Sequence, residues 1–206
     1  MSKTKQNLER SKSAEKSAAI LKGAMEEFLK HGYAGSSMDK VAKASGVSKA
    51  TVYSHFGDKE SLFNAVIHDL AEERLKASID VQQPQFSGQS PQEVLSAIAN
   101  KMIANATQDS IVQDFMRIII GESGRFPELA KAYVNNLARP TIETLTQYLK
   151  LHPELAIKDP EATVRIMMGS LVYFIMLQEM MHGKDIMPLE SDRLIKTLVD
   201  LIVRSS

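Results

Sequence analysis

The stretch GVSKATVYSHFGDKESLF, residues 46–63, decides the fold of this chain. Gly46 can adopt a left-handed turn that other residues avoid, and Ser48 can cap a helix that follows it. A second short helix is predicted just before this turn, at about residues 38–44, because Ser37 can cap it. Two short helices joined by a tight glycine turn form a helix-turn-helix.

The two faces of the second helix of this motif differ in character. Val52 and Phe56, spaced four apart, are predicted to anchor it to the core, while Val47 fills the corner of the turn. The opposite face carries the side chains of Lys49, Ala50, Thr51, Tyr53, Ser54 and His55. Small, hydroxyl-rich side chains let a helix approach base edges and phosphates in a major groove. The same pattern also fits a short amphipathic helix with a solvated face, so both interpretations stay open at this point.

The rest of the chain has a helical pattern as well, because no run alternates as a strand would. A first helix from Ala14 is predicted to end at Gly32, and Pro140 is predicted to kink or break a later helix. Further helices are predicted at residues 58–80, 91–107, 109–124, 127–150, 160–182 and 190–204. The connection at residues 81–91 is rich in glutamine and broken by proline and glycine, which predicts a mobile link. We therefore expect an all-α fold.

Composition limits the class of protein. Apolar residues make up 44% of the chain and charged residues 24%, which is ordinary for a globular protein and too apolar for a disordered one. The lack of cysteine excludes disulfides and thiolate metal sites, and it favours a cytoplasmic location. Residues 1–12 lack the apolar core of a signal peptide, and the apolar run 164–177 contains Arg165 and is shorter than the roughly 20 residues that span a bilayer. We predict a buried helix there and no membrane partner.

Charge is unevenly distributed along the chain, although the formal net charge is zero. Residues 1–60 carry 11 Lys or Arg against 7 Asp or Glu, and the remainder carries 14 against 18. A basic N-terminal third followed by an acidic remainder suggests that one end meets a polyanion. Unequal solvated faces would give the same count.

The sequence MDKVAKASGVSKATVYSHFGDKESLF, residues 38–63, closely resembles the DNA-binding domain of the TetR family of bacterial transcriptional repressors. The resemblance implies an all-α homodimer of about nine helices. It implies three parts: a flexible basic arm at residues 1–13, a helix-turn-helix domain at 14–57, and a domain at 58–206 that binds a small-molecule effector and dimerises. The implied function is repression at a palindromic operator of double-stranded DNA, released by a small, largely apolar ligand.

The same resemblance implies a set of DNA contacts. The first residues of the recognition helix would approach the bases, while Tyr53, His55 and Lys59 would contact phosphate. At Ser54 the family commonly has a bulkier aromatic residue or a histidine. The predicted DNA-binding residues are Ser37, Met38, Ser48, Lys49, Ala50, Thr51, Tyr53, Ser54, His55 and Lys59.

The second half of the chain suggests a ligand pocket. FMRIIIGESGRFPELAKAYVNN, residues 115–136, is similar to the C-terminal domains of the AefR-like subgroup of these regulators. Five methionines lie between residues 167 and 181, and flexible thioethers adapt to varied apolar ligands. Any one of them also fits ordinary core packing. The predicted ligand-binding residues are Met102, Phe115, Ile119, Met167, Leu171 and Phe174.

The helices at residues 160–182 and 190–204 are apolar on more than one face. A helix that is apolar nearly all round must be covered on both sides. In a chain of this size a second subunit is the natural cover. We therefore predict a homodimer formed through these two helices.

Enzyme signatures are weak. Glu179 and His182 have the Glu-x-x-His spacing of helical di-metal proteins, and His68 and Glu72 lie four apart, but a second Glu-x-x-His pair is missing from the sequence. The sequence has no nucleophile elbow, phosphate loop or dinucleotide fingerprint. We predict no catalytic residues, no metal site, no cofactor and no enzyme. A helical enzyme or assembly module that uses its N-terminal bundle structurally is the alternative to a DNA-binding regulator.

Overall fold

A computed structural model describes residues 2–72, 86 and 88–204 of the chain. The helices are α1 (Ser2–Gly35), α2 (Met38–Ser45), α3 (Lys49–Phe56), α4 (Lys59–Leu70), α5 (Pro91–Gln108), α6 (Ser110–Glu122), α7 (Pro127–Tyr133), α8 (Arg139–Lys150), α9 (Pro160–Ile175) and α10 (Ser191–Arg204). The described residues contain no strand, and the helices number nine when α7 and α8, joined by the π-helical segment Val134–Ala138, are taken as one. The predicted all-α fold with about nine helices is confirmed.

The chain divides into two compact units. The head unit comprises Met1–Asp69 and Asp114–Tyr133, and the larger unit comprises Leu70–Gln113 and Val134–Ser206. The sequence predicted a boundary after residue 57, whereas this packing division falls after Asp69. Most of α4 and the segment around α7 pack with the helix-turn-helix instead of with the remainder.

Aromatic packing explains why the head unit extends beyond its motif. Phe63 of α4 is 1% exposed, stacks on Phe115 with ring centroids 5.9 Å apart and meets Phe28 edge-on at 5.2 Å. Tyr33 contacts Phe63 at 5.3 Å and Phe126 at 5.0 Å. Such pairs add about 0.5–1.5 kcal/mol each to the burial of their rings. Partners up to about a hundred positions apart cannot be paired from one sequence.

The N-terminal segment is helical. α1 begins at Ser2, so the helix start predicted at Ala14 is wrong, and the helix includes residues 2–13, where we predicted an arm. The segment has no proline and no glycine before Gly23, and its lysine, glutamate, glutamine and alanine residues are good helix formers. The predicted end at Gly32 is visible as an interruption, since that glycine has a φ of 67°.

The other helix boundaries agree with those predicted from the sequence, with two qualifications. The helix predicted at 58–80 is described only as far as residue 72, and most of the predicted link at 81–91 also lies outside the described residues. The irregularity predicted at Pro140 takes the form of the π-helical segment Val134–Ala138, directly before α8. A second π-helical segment, Met176–Met180, continues α9.

The larger unit is built around one apolar core. α10 packs on α5, and α9 packs on α8. Ile98, Leu145 and Leu171 are fully buried in this core and Val199 is 1% exposed. The core is formed by residues of both chain segments of this unit, 86–103 and 145–202.

Candidate nucleic-acid interface and effector cleft

The turn between α2 and α3 is closed by hydrogen bonds at both helices. Gly46 has a φ of 68°, and the N–H of Val47 donates to the carbonyl of Ala42 at 3.1 Å. The Oγ of Ser48 accepts the N–H of Thr51 at 3.1 Å. These bonds satisfy backbone groups that helix ends leave open. The predicted glycine turn and serine cap are confirmed.

The inner side of the motif follows the predicted pattern. Val41 and Val52 are fully buried and Ala42 is 5% exposed. Val47 and Phe56 are half-buried. The motif is therefore held by aliphatic contacts on one face of α3, which leaves the opposite face without a packing role.

The outer face of α3 is polar and accessible. Lys49, Ala50, Tyr53 and Ser54 are exposed, and Thr51 is half-buried. The hydroxyls of Ser48 and Thr51 lie 2.8 Å apart. The structure thus brings six predicted DNA-binding residues to one surface, which we call the α3 face: Ser48, Lys49, Ala50, Thr51, Tyr53 and Ser54.

The ammonium of Lys49 is oriented on this α3 face. Its Nζ lies 2.7 Å from the carboxylate of Asp39 and 5.8 Å from the centroid of the Tyr53 ring. The hydrogen bond that Lys49 donates to Asp39, followed by the charge of that carboxylate, raises the pKa of Lys49. The lysine is therefore a fixed positive charge, and a phosphate or base must compete with Asp39 for it.

The Lys59 side chain, which we predicted to contact phosphate, binds backbone carbonyls in this structure. Its Nζ donates to the carbonyl of Tyr33 at 2.8 Å and to that of Ser36 at 3.3 Å, and it sits 4.2 Å from the Tyr33 ring centroid. Burial lowers the pKa of Lys59, although Glu122 and Glu128 act in the opposite direction. Burial also raises the pKa of Tyr33 to about 12. Lys59 holds the chain between α1 and α2 in place.

Three other predicted DNA-binding residues have side chains that contact the protein itself. Met38 is 5% exposed and belongs to the core, and the Ser37 hydroxyl accepts the N–H of Lys40 at 3.3 Å as the α2 cap. The Nδ1 of His55 lies 2.9 Å from the carbonyl of Thr51 and must carry the proton, because a carbonyl only accepts. The Nε2 of His55 is buried and has no hydrogen-bond partner.

Sequence reasoning missed Glu122. Its two carboxylate oxygens accept the N–H groups of Tyr33 at 2.9 Å and Ala34 at 2.8 Å, directly after the interruption at Gly32. A Cβ at Gly32 would lie 2.5 Å from Glu122 Oε1. We call this arrangement the Glu122 clamp. Its partners are 88 and 89 positions away, and no local signal marks them.

The predicted ligand-binding residues are distributed over both units. Phe115 and Ile119 are buried in the head unit, whereas Met167 and Leu171 are closed in the core of the larger unit and Met102 packs against that core. Periodicity identifies apolar faces but cannot tell a filled core from a cavity. Phe174 lines a cleft that is formed by described residues.

This cleft, which we call the α9 cleft, lies at the C-terminal end of α9 and has a volume of about 400 Å³. Its apolar wall consists of Ile103, Phe174, Pro188 and Leu189. Its polar wall includes Thr107, Gln178, Glu179, Lys184, Glu190 and Ser191. Volume and mixed lining fall in the range of small-molecule sites.

The outer face of α9 is apolar and uncovered. Ile166 is 65% exposed and Tyr173 57%, and Leu201 of α10 is 61% exposed. Among the described residues Pro160–Met180 is the one helix long and apolar enough to cross a membrane, and 22% of its most apolar window is buried. The prediction of a buried helix is thus met on one side only, by Val164, Met167, Leu171 and Phe174.

The Glu-x-x-His pair does not form a metal site. Glu179 is bound by Lys184 at 2.7 Å, and His182 follows the helix in a left-handed conformation with a φ of 56°. No group of three potential metal ligands occurs within the described residues.

Comparison with known sequences identifies both halves of the chain. Residues 20–66 match the family of bacterial regulatory proteins called tetR, and residues 93–205 match the C-terminal domain of AefR-like transcriptional repressors. The repressor AcnR of Corynebacterium glutamicum is 42% identical over 50 residues, which is 24% of this chain and 27% of AcnR. The chain therefore spans about a quarter of the length of that relative.

Solved structures match over nearly the whole length. A TetR-family transcriptional regulator from Mesorhizobium loti has a TM-score of 0.73 and 26% identity, covering 94% of this chain and 95% of that one. The flavonoid-responsive regulator FrrA has a TM-score of 0.75 and 28% identity, covering 92% and 96%. The tetR family contains transcriptional regulators rather than enzymes, which confirms the prediction that this chain is not an enzyme. The chain belongs to the tetR family of bacterial regulatory proteins.

Proposed function

We propose that the protein is a transcriptional repressor that binds a palindromic DNA operator as a homodimer in the cytoplasm and leaves it when a small, largely apolar ligand binds. The observation that carries this proposal is the α3 face, a thin ridge of small polar side chains held outward by a capped turn. Such a ridge fits a major groove, where hydroxyls and lysines reach base edges and phosphates.

Within this proposal the contacts differ in kind. Ser48, Lys49, Ala50 and Thr51 approach the bases. Tyr53 and Ser54, exposed one turn further on, contact the backbone of the DNA. The other predicted residues contribute indirectly: Ser37 and Met38 through the backbone at the start of α2, and His55 and Lys59 by fixing the helices that carry the contacts.

The uncovered apolar faces of α9 and α10 support the homodimer. Ile166, Tyr173 and Leu201 would be solvated in a single chain, and burying them against a second copy removes apolar area from water. Because the opposite side of α9 packs on a core that also contains α5 and α8, a partner subunit explains the uncovered face better than a bilayer does. Two-fold symmetry then presents two α3 helices to half-sites one or more DNA turns apart.

Release follows from a shift between two states of the dimer. The chain passes between the head unit and the larger unit three times, so the arrangement of the larger unit can govern the spacing of the heads. A ligand that binds better to a state with altered spacing draws the population away from DNA. A ligand that binds both states equally changes nothing. The related regulator FrrA is described as responsive to flavonoids, which supports a small-molecule effector.

The test begins with selection of an operator from random duplex DNA by the purified protein. Affinity is then measured across salt concentrations for wild type, Lys49→Ala and Tyr53→Ala, with Lys150→Ala, an exposed lysine of the larger unit, as the matched control. Losing one phosphate contact lowers the slope of log affinity against log salt by about 0.9. We expect weaker binding for both α3 variants and unchanged binding for Lys150→Ala. Equal affinity of all four proteins would contradict the proposal and favour a structural role for the motif.

A further inference from the structure

We infer that the α9 cleft binds a small amphipathic molecule that carries one protonated amine, and that Glu179 receives this ammonium group. The inference rests on the proposed function, since it names the chemical class of the effector. It extends the expectation of a largely apolar ligand by adding one positive charge at a defined place.

The α9 cleft has separate apolar and polar ends. Ile103, Phe174 and Leu189 offer a hydrophobic surface, while Gln178 and Glu179 lie together on the π-helical end of α9. A π-helical turn inside a helix is a frequent mark of a functional site. The Gln178 side chain is 5% exposed, and its Nε2 donates to the carbonyl of Met187 at 2.9 Å. The segment that forms the outer wall is thereby fixed.

Glu179 is an enclosed carboxylate with few strong partners. Its side chain is 12% exposed, and its close partner is Lys184 Nζ at 2.7 Å. The hydroxyl of Thr107 is 3.4 Å away, but its one proton is better placed on the carbonyl of Ile103 at 2.8 Å. A carboxylate can accept about four hydrogen bonds, so Glu179 has acceptor capacity left for a ligand.

The ammonium of Lys184 occupies the position beside Glu179, and the ammonium of a ligand can replace it. Its side chain is 56% exposed, and it lies on a short 3-10 turn after His182. An enclosed carboxylate is stable only when a cation accompanies it. An amine whose apolar part fills the cleft can take over from Lys184 and return the lysine to solvent.

The charges that line the cleft disfavour an anionic ligand. Two carboxylates, Glu179 and Glu190, face one ammonium, that of Lys184. An anionic ligand would have to displace the ammonium from Glu179 or lie beside uncompensated negative charge. A neutral ligand gains the apolar wall but not the charged hydrogen bond, which is the stronger kind.

Three probes of one shape test the inference on the full-length protein: phenylbutylamine, phenylbutanol and phenylbutyrate. Isothermal titration calorimetry should show the amine binding about tenfold tighter than the alcohol, because a hydrogen bond to a charged group adds that much affinity. Phenylbutyrate should bind most weakly. Equal affinity of amine and alcohol, preference for phenylbutyrate, or no binding of any probe would overturn the inference.

Variants place the effect on the named atoms. Glu179→Gln keeps the shape and should reduce amine binding to the level of the alcohol without changing alcohol binding. Lys184→Ala removes the competing ammonium and should tighten amine binding, an effect opposite to that expected if the lysine held the ligand. Glu143→Gln removes an exposed carboxylate that pairs with Arg139 outside the cleft and should change nothing. Circular dichroism checks folding, and Lys184→Ala carries the test if Glu179→Gln is unfolded.

Operator binding, measured by fluorescence anisotropy in the absence of the three phenylbutyl compounds, separates this inference from the proposed function. A protein that binds its operator but shows no preference for the amine contradicts the ligand assignment alone. A protein that prefers the amine but binds no duplex DNA contradicts the proposed repressor and leaves the cleft assignment standing.

Discussion

The outer faces of α3 and α9 have opposite character, although both are left open by the fold. The α3 face carries hydroxyls, a lysine and a tyrosine, whereas the outer face of α9 carries Ile166 and Tyr173. A polar open face is stable in water by itself, and an apolar one indicates a missing partner. In the proposed function the α3 face contacts DNA and the outer face of α9 contacts a second subunit.

Phe63, in the core of the head unit, and Tyr173, on the outer face of α9, give the test with the largest expected effect. Phe63→Ala opens a cavity in the head core, and we expect a loss of about 3–5 kcal/mol in the free energy of unfolding. Tyr173 is 57% exposed, so Tyr173→Ala should leave the fold intact and weaken dimerisation about tenfold, as truncation of an interface residue does. Urea unfolding and sedimentation equilibrium measure the two effects. Unchanged self-association of Tyr173→Ala would remove α9 from the interface.

The Glu122 clamp gives the second test. It stabilises the head unit, which carries the α3 face, from a distant part of the sequence. Glu122→Gln replaces one acceptor oxygen by an amide that cannot accept the N–H of Tyr33 or Ala34. We expect a loss of about 2 kcal/mol in the free energy of unfolding, because a hydrogen bond to a charged group is lost and a donor is left open. Glu60→Gln, an exposed glutamate of the same unit, is the control. Equal urea midpoints for both variants would show that the clamp adds no stability.

Local features of the fold could be predicted from the sequence, whereas long-range contacts could not. Ser48, Gly46 and Val52 follow local rules of capping, turn conformation and periodicity, so the helix-turn-helix and the α3 face were predictable. The Glu122 clamp and the stacking of Phe63 on Phe115 depend on chain segments that only the tertiary fold brings together. Phe115, which we predicted to line a ligand pocket, is 1% exposed and stacks on Phe63 in this structure.

Polar residues show the limit of local rules in the motif itself. His55 in α3 and Lys59 at the start of α4 are polar, and the resemblance to the TetR family implied that both contact phosphate. Their nitrogen atoms instead bind the backbone carbonyls of Tyr33 and Thr51. A polar side chain that serves the backbone cannot be told from one that serves a ligand until the neighbouring helix ends are placed.

The larger unit also contains a locally specified feature, and it gives the smallest and most defined test. At the start of α5 the Ser90 N–H and hydroxyl each donate to Glu93 Oε2 at 2.8 Å, while Ser90 Oγ accepts the Glu93 N–H at 3.4 Å. This is a capping box, readable from Ser-x-x-Glu spacing. The hydrogen bond from the Ser90 backbone, followed by that from its hydroxyl, lowers the pKa of Glu93.

Because the pKa of Glu93 is lower in the folded chain than in the unfolded one, its contribution to stability is present above the unfolded pKa. It is lost as pH falls through the folded pKa. The difference in unfolding free energy between wild type and Glu93→Gln should therefore shrink as pH is lowered from about 6 to 3. Ser90→Ala should keep most of this pH dependence, because the larger cause, the backbone N–H, remains. Complete loss of the pH dependence in Ser90→Ala would assign the effect to the hydroxyl instead, and an unchanged difference across that pH range would show that the capping box does not contribute to the stability of the larger unit.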